Sequence, residues 1–88
     1  MTAAERVARE VILYTRINCS FCDEAARELR ALRDTLRFTL TEIDIDADLA
    51  LHEQYDEIVP AVVVGGRVIA QAPIAPGGLL DALTRAVG

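Results

Sequence analysis

Lysine is missing from this 88-residue sequence: all nine basic side chains are arginine, and fourteen carboxylates outnumber them to leave a net charge of −5. A domain of that sign repels phosphate backbones, so nucleic acid is not expected as a partner. Long apolar runs are missing as well. No stretch approaches the ~20 apolar residues that span a bilayer, so no membrane association is expected. Met1 to Glu10 carries Glu5, Arg6, Arg9 and Glu10 and no apolar core, unlike a secretory signal. A cytoplasmic, reducing location is therefore the expectation. There are only two cysteines and one histidine. In a reducing compartment a lone cysteine pair is more often catalytic or metal-binding than a structural staple.

What remains is a globular balance, with 52% apolar and 26% charged residues. A chain this short buries somewhat over ~60% of its unfolded surface. It is expected to form one domain over residues 1–88, with 1–10 as a frayed or weakly helical lead-in. Val11 to Thr15 (V-I-L-Y-T) reads as a strand buried on both faces. From Cys19 to Arg33 the apolar residues Ala25, Leu29, Leu32 and Leu36 recur at helical spacing. Asp23–Arg27 and Arg30–Asp34 are expected as i,i+4 ion pairs on the opposite face. Phe38 to Ile45 reads as a second strand with an irregularity near Thr41, where the apolar alternation changes phase. Asp46 and Asp48 are natural caps for a short helix from about Asp48 to Tyr55. Ala61 to Val64 and Arg67 to Ala70 form a hairpin about Gly65-Gly66. Gln71 to Pro76 is a loop with two prolines, and Gly78 to Val87 is a closing helix. The order β-α-β-α-β-β-α predicts an α/β three-layer sandwich around a four-stranded mixed sheet.

The chemistry lies in Cys19-Ser20-Phe21-Cys22, between the first strand and the first helix. A cysteine in the first turn of a helix faces unpaired N–H groups and the positive end of the dipole, and both favour the thiolate. The thiolate is the nucleophile. Arg16, three residues earlier, can add positive charge to the same corner. At i,i+3 the two Cα atoms lie roughly 5–6 Å apart, which permits a disulfide. Cys19 is then the attacking sulfur and Cys22 the resolving one. C-x-x-C after a buried strand, opening an amphipathic helix, reads as a thioredoxin-like redox motif. Two other readings stay open at this point. One is half a metal site, for which His52 is the only further soft ligand where zinc normally takes four. The other is an inert pair kept for packing in a partner-binding module. No bound metal or cofactor is expected.

Pro60, in Ile58-Val59-Pro60-Ala61, opens the third strand, where its missing N–H is tolerated. Pro60 is either a plain strand entrance or a cis bond that turns the Val59 backbone outward for an extended substrate. Taken together, Y-T-R-I-N-C-S-F-C-D and the later V-P-A-V-V-V-G-G-R-V-I resemble the glutaredoxin-like branch of the thioredoxin superfamily. The small bacterial glutaredoxin-like domain proteins are the nearest resemblance, covering roughly Val11 to Leu83. The resemblance implies the thioredoxin fold, a nucleophile at Cys19, a resolving thiol at Cys22 and a cis proline at Pro60. It also places Arg16 where glutaredoxins usually carry lysine. It implies thiol–disulfide oxidoreductase activity on protein or small disulfides. The electron donor would be a reductase or a thiol, with glutathione or another low-molecular-weight thiol as co-substrate.

Several positions depart from that pattern. Glutaredoxins typically have Pro and Tyr between the cysteines, where this chain has Ser20 and Phe21, and Ile58 replaces the Thr of T-V-P. In glutaredoxins a G-G-x-D turn that holds glutathione's γ-glutamyl carboxylate directly follows the last strand. Here Gln71 to Pro76 intervenes, and Gly77-Gly78 is followed by Leu79, Leu80 and only then Asp81. Gly77, Gly78 and Asp81 are therefore the weaker site candidates, with Gly77-Gly78 read either as a flexible turn or as an anion site at a helix start. Thioredoxin proper fits less well, since Asn18 stands in place of a Trp and Leu13 in place of a buried Asp. Asp44, Asp46 and Asp48 have the opening spacing of a calcium loop, but Leu49 and Tyr55 occupy the positions that need Gly and Glu. Arg67 and Arg85 read as solvated charges. Phe21 reads either as a partner contact or as a residue that shapes the turn.

Overall fold

A computed structural model describes residues 9–87. Its elements are β1 (Glu10–Thr15), α1 (Ser20–Leu36), β2 (Thr39–Asp44), a 3-10 turn (Ile45–Ala47), α2 (Leu49–Tyr55), β3 (Ala61–Val64), β4 (Arg67–Gln71) and α3 (Gly78–Val87). Apart from the 3-10 turn, this is the expected order. The anticipated lead-in falls outside the described residues except at Arg9 and Glu10, and Glu10 already begins β1.

The four strands lie in the order β2-β1-β3-β4. β1 runs parallel to β2 and antiparallel to β3, and β3 forms the hairpin with β4. The period of two in β1 divides the core. Val11 and Leu13 join Val62 and Val64 beneath α1 (Ala25, Ala26, Leu29) and α3 (Leu79, Leu83, Val87). Ile12 and Tyr14 turn to the other face, where Ala61 and Val63 pack with Ile45 and Tyr55. There the Tyr14 and Tyr55 rings stack, with centroids 4.1 Å apart. Burying each large apolar side chain contributes about 1.5–3 kcal/mol, so these two small clusters supply most of the drive to fold. No helix among the described residues is long and apolar enough to cross a membrane.

Four local expectations need correction. Helix α1 runs to Leu36 rather than Arg33, because Arg37 takes the left-handed C-cap conformation (φ 57°) and donates its N–H to the Arg33 carbonyl. No glycine announces this stop, although glycine is the usual residue there. The irregularity expected near Thr41 is absent. The β1–β2 register is unbroken from Glu10↔Thr39 to Thr15↔Asp44. The apolar phase changes because β2 switches its buried face along its length. Leu40 packs on the α1–α3 side, and Glu42, next on that face, meets Arg30 of α1 instead of a hydrophobe. The ladder irregularity lies instead between Val62 and Val63, opposite β4. Finally, Arg30 pairs with Glu42, not Asp34. Its Nε and Nη2 donate to the two carboxylate oxygens at 2.9 and 2.6 Å, tying α1 to an edge strand. Asp23–Arg27 is not among the ion pairs of the described residues.

Of the aspartates expected as caps, Asp48 caps α2, whereas Asp46 turns its carboxylate to Arg16, and Asp44, at the end of β2, caps the 3-10 turn. Asp44 accepts from the Asp46 N–H at 2.9 Å, and Asp48 accepts from Ala50 and Leu51 at the start of α2. No cluster of potential metal ligands occurs among the described residues.

The division of α3 into faces gives a stability prediction. Leu83 is fully buried while Leu80 is 46% exposed. Leu83→Ala should lose about 2–5 kcal/mol in denaturant unfolding, and Leu80→Ala less than about 1 kcal/mol. Equal losses would show that α3 docks through a different face.

Candidate active site

β1 ends at Thr15, and the chain must reverse within three residues to start α1. Asn18 makes this possible by adopting a left-handed conformation (φ 61°), which asparagine tolerates better than most residues. Cys19 thereby becomes the extended N-cap of α1, one position ahead of the expected first turn. Its carbonyl accepts the Asp23 N–H at 3.0 Å, closing the first helical turn. Its Sγ accepts the Cys22 N–H at 3.2 Å. A helix N-terminus leaves four N–H groups without internal partners, and here one of them is satisfied by sulfur, where Ser, Thr or Asp usually supplies oxygen.

The two cysteines are joined as a disulfide, with their Cα atoms 5.2 Å apart. Their environments differ sharply. Cys22 is fully buried, whereas Cys19 remains partly open to solvent. Ser20 and Phe21 are exposed on the turn between them, and Phe21 is 71% exposed. Phe21 stands at one end of a groove of about 350 Å³. Pro60 lines the same groove, buried where it precedes β3. The Val59–Pro60 peptide is cis, as is Ala72–Pro73. Val59 is half-buried, and its N–H is already committed to the Tyr55 carbonyl at 3.1 Å. Only the Val59 carbonyl is left for an outside partner. No hydrogen bond among the described residues uses it.

Arg16 does not turn toward the cysteines. Its guanidinium lies between two carboxylates, with Nη2 at 3.0 Å from Asp46 and Nη1 at 2.7 Å from Asp56. His52 Nε2 stands 3.7 and 3.5 Å from the same two groups. The hydrogen bond from Arg16 holds the Asp46 carboxyl below the usual carboxylate range, and Asp46 in turn holds the guanidinium charged. Arg16 thus ties the chain just before Cys19 to the 3-10 turn and the end of α2. The weaker candidates Gly77, Gly78 and Asp81 do not line the groove, although Gly78 abuts its wall at Ile74. The Gly78 N–H donates to the Ala75 carbonyl at 2.9 Å, and Asp81 pairs with Arg85 at 3.2 Å. Arg85 is a solvated charge, as expected, and also reaches Asp81 one turn away.

Of the groove residues only Phe21 and Pro60 are site candidates from the sequence; Glu24, Glu28, Glu57 and Ile74 are among those it misses. The signal for Glu24 and Glu28 was present. Glu24 and Glu28 follow Phe21 by three and seven positions, so all three share one helix face. In the sequence the loop carrying Ile74 reads only as an interruption before Gly77-Gly78. In the fold it forms a wall of the groove.

Comparison with known proteins places this geometry. Residues 10–83 match the profile of the glutaredoxin-like domain (DUF836). Protein XcR50 from X. campestris superposes with a TM-score of 0.72 at 30% identity, over 86% of this chain and 97% of that one. The holo form of glutaredoxin C1 from Populus tremula x tremuloides superposes with a TM-score of 0.56 at 19% identity, over 97% and 86%. A buckwheat glutaredoxin–glutathione complex superposes with a TM-score of 0.50 at 20% identity, over 97% and 89%. No curated protein matches the chain. The fold is thioredoxin-like, an α/β sandwich with a four-stranded mixed sheet. The chain belongs to the glutaredoxin-like domain family.

The ion pair at Arg16 gives a pH prediction. A carboxyl whose folded pKa is depressed binds fewer protons than in the unfolded chain, so its stabilisation is present above about pH 4 and fades as pH falls through the folded value. Melting temperature followed from pH 7 down to pH 3 should drop less steeply for Asp46→Asn than for the parent, from a lower starting point at pH 7. Parallel curves would mean that the pair does not form in solution.

Proposed function

We propose that this protein is a thiol–disulfide oxidoreductase in which Cys19 attacks and Cys22 resolves. The observation that carries the reading is the Cys19 sulfur seated as the N-cap of α1, accepting the Cys22 N–H at 3.2 Å. In the reduced protein the same N–H and the helix dipole lower the free energy of the thiolate relative to the thiol. Cys19 is the more accessible of the two, which fits it for first attack, and buried Cys22 is poised to act second.

The Cys19 thiolate forms a bond to one sulfur of a target disulfide, and the other target sulfur leaves as a thiolate and takes up a proton. Cys22 then gives up its proton and attacks the Cys19 sulfur, forming the intramolecular disulfide. The second target sulfur is released as a thiol. The target gains two electrons and two protons; the protein supplies both electrons and the Cys22 proton, and solvent supplies the other proton. A thiol, glutathione among the candidates, or a disulfide reductase returns the pair to the dithiol. Protein and small disulfides are the substrates of this reading, and a reducing cytoplasm is its setting. Pro60 borders the substrate groove and Val59 precedes it with a free carbonyl, with Ser20 and Phe21 presenting the attacking sulfur. Arg16 holds the preceding loop in place.

Three measurements test the reading. Alkylation rate against pH in the Cys22→Ser variant should give a Cys19 pKa below the ordinary thiol value of about 8.5. The same variant should accumulate mixed disulfides on Cys19 when offered a disulfide substrate. Thiol content across redox buffers should show a single two-electron transition between roughly −180 and −300 mV. A pair that never titrates would leave a scaffold that binds without reducing.

A further inference from the structure

The groove beside the disulfide has an unbalanced charge. Its walls are apolar, with Pro60, Pro73 and Ile74 among them, and Phe21 projects at one end. Glu24 and Glu28 edge it from α1, and Glu57 edges it from the segment before β3. No arginine among the described residues lines it. The arginines that meet carboxylates elsewhere are engaged away from this groove. Arg16 faces Asp46 and Asp56, Arg30 faces Glu42, and Arg85 faces Asp81. None of the three groove carboxylates takes part in an ion pair among the described residues.

We propose that this groove takes a polypeptide segment carrying an apolar and a basic residue beside its disulfide, in preference to glutathione. The inference rests on the oxidoreductase reading and names its substrate class. Three carboxylates on the rim of a cleft with apolar walls concentrate cationic ligands and repel anionic ones. Glutathione carries two carboxylates and one ammonium, and so enters with net negative charge. A segment bearing Arg or Lys places a cation against Glu24, Glu28 or Glu57, while its apolar neighbour covers Phe21 and Ile74. The target sulfur then lies next to the turn that presents Cys19. The chemistry is that given above, with the protein dithiol as the two-electron reductant.

The test compares three substrates under single turnover with the pre-reduced protein. Two are peptides with one apolar residue beside a cysteine held in a methyl disulfide, flanked by arginine in one and glutamate in the other. The third is glutathione disulfide. A basic neighbour also makes a thiol a better leaving group. Each rate is therefore divided by the rate of the same substrate with dithiothreitol. The arginine peptide should react about tenfold faster than the glutamate peptide at low salt. It should also outpace glutathione disulfide, and its advantage should shrink toward unity as salt screens the rim. The E24Q/E28Q/E57Q variant should lose the same advantage without added salt. Equal normalised rates for the two peptides, or faster reaction of glutathione disulfide, would overturn the proposal and leave the enzyme reading intact. Peptides with serine in place of cysteine separate the opposite failure. Stronger anisotropy binding of the arginine version, lost in the triple variant, would support the groove assignment even if no disulfide were reduced. Binding indifferent to charge would reject it.

Discussion

A single hydrogen bond, from the Cys22 backbone N–H to the Cys19 sulfur, is the constraint around which the chemistry of this protein is arranged. It exists only because α1 begins where it does. β1 is held on both sides, parallel to β2 and antiparallel to β3, and Val11 and Leu13 anchor it in the core. Its end is therefore a fixed point. Ala25, Ala26 and Leu29 anchor α1 against the same core one to three turns further on. Between these anchors the chain has only Arg16, Ile17 and Asn18 with which to reverse. The left-handed Asn18 and the Arg16 clamp on Asp46 and Asp56 remove most of its remaining freedom. An N-cap interaction is worth on the order of 1 kcal/mol. The packing that positions it is several times larger, so the sulfur is located by the core and not by its own hydrogen bond.

The parts of the fold that were legible in the sequence are those where local pattern and tertiary demand agree. The short β-branched run of β1, the Gly65-Gly66 hairpin and the apolar stripe of α1 each have one physical reading, and each is found in place. The Cys19–Cys22 spacing was legible for the same reason, since i,i+3 on a helix start sets the separation of the two Cα atoms almost independently of context. What could not be read was decided between elements. Glu42 breaks the alternation of β2 because Arg30 arrives from α1, twelve positions away in sequence, to pair with it. Thr41 took the blame for a phase change whose cause lay on another element. Arg37 ends α1 in a conformation that arginine seldom adopts, so no residue marks the stop in advance.

The site shows the same division. Position along the chain identified both cysteines, Pro60 and Phe21. Local reasoning misplaced the influence of Arg16, because a guanidinium next to a thiol in sequence is free to choose a stronger partner in space. Two carboxylates at 3.0 and 2.7 Å outbid a sulfur three residues away. The groove itself joins one face of α1, the residues before β3 and the loop after β4, which no local pattern brings together.

The engagement of the arginines explains the electrostatics of the site as a whole. In a chain with five more carboxylates than cations, every arginine drawn into a bidentate or doubly anchored pair leaves carboxylates uncompensated elsewhere. Glu24 and Glu28 are uncompensated on the same helix that Cys19 caps. The two influences on that sulfur oppose each other. The helix start and its N–H act at hydrogen-bond range and through little solvent. The glutamates act across a solvent-filled groove, where a pair of charges some way apart is weakened by the high dielectric and by salt. The short-range influence is therefore the one the proposed chemistry draws on at the sulfur itself. The long-range one dominates what can approach it, because an incoming ligand meets the field of the rim before it reaches the sulfur.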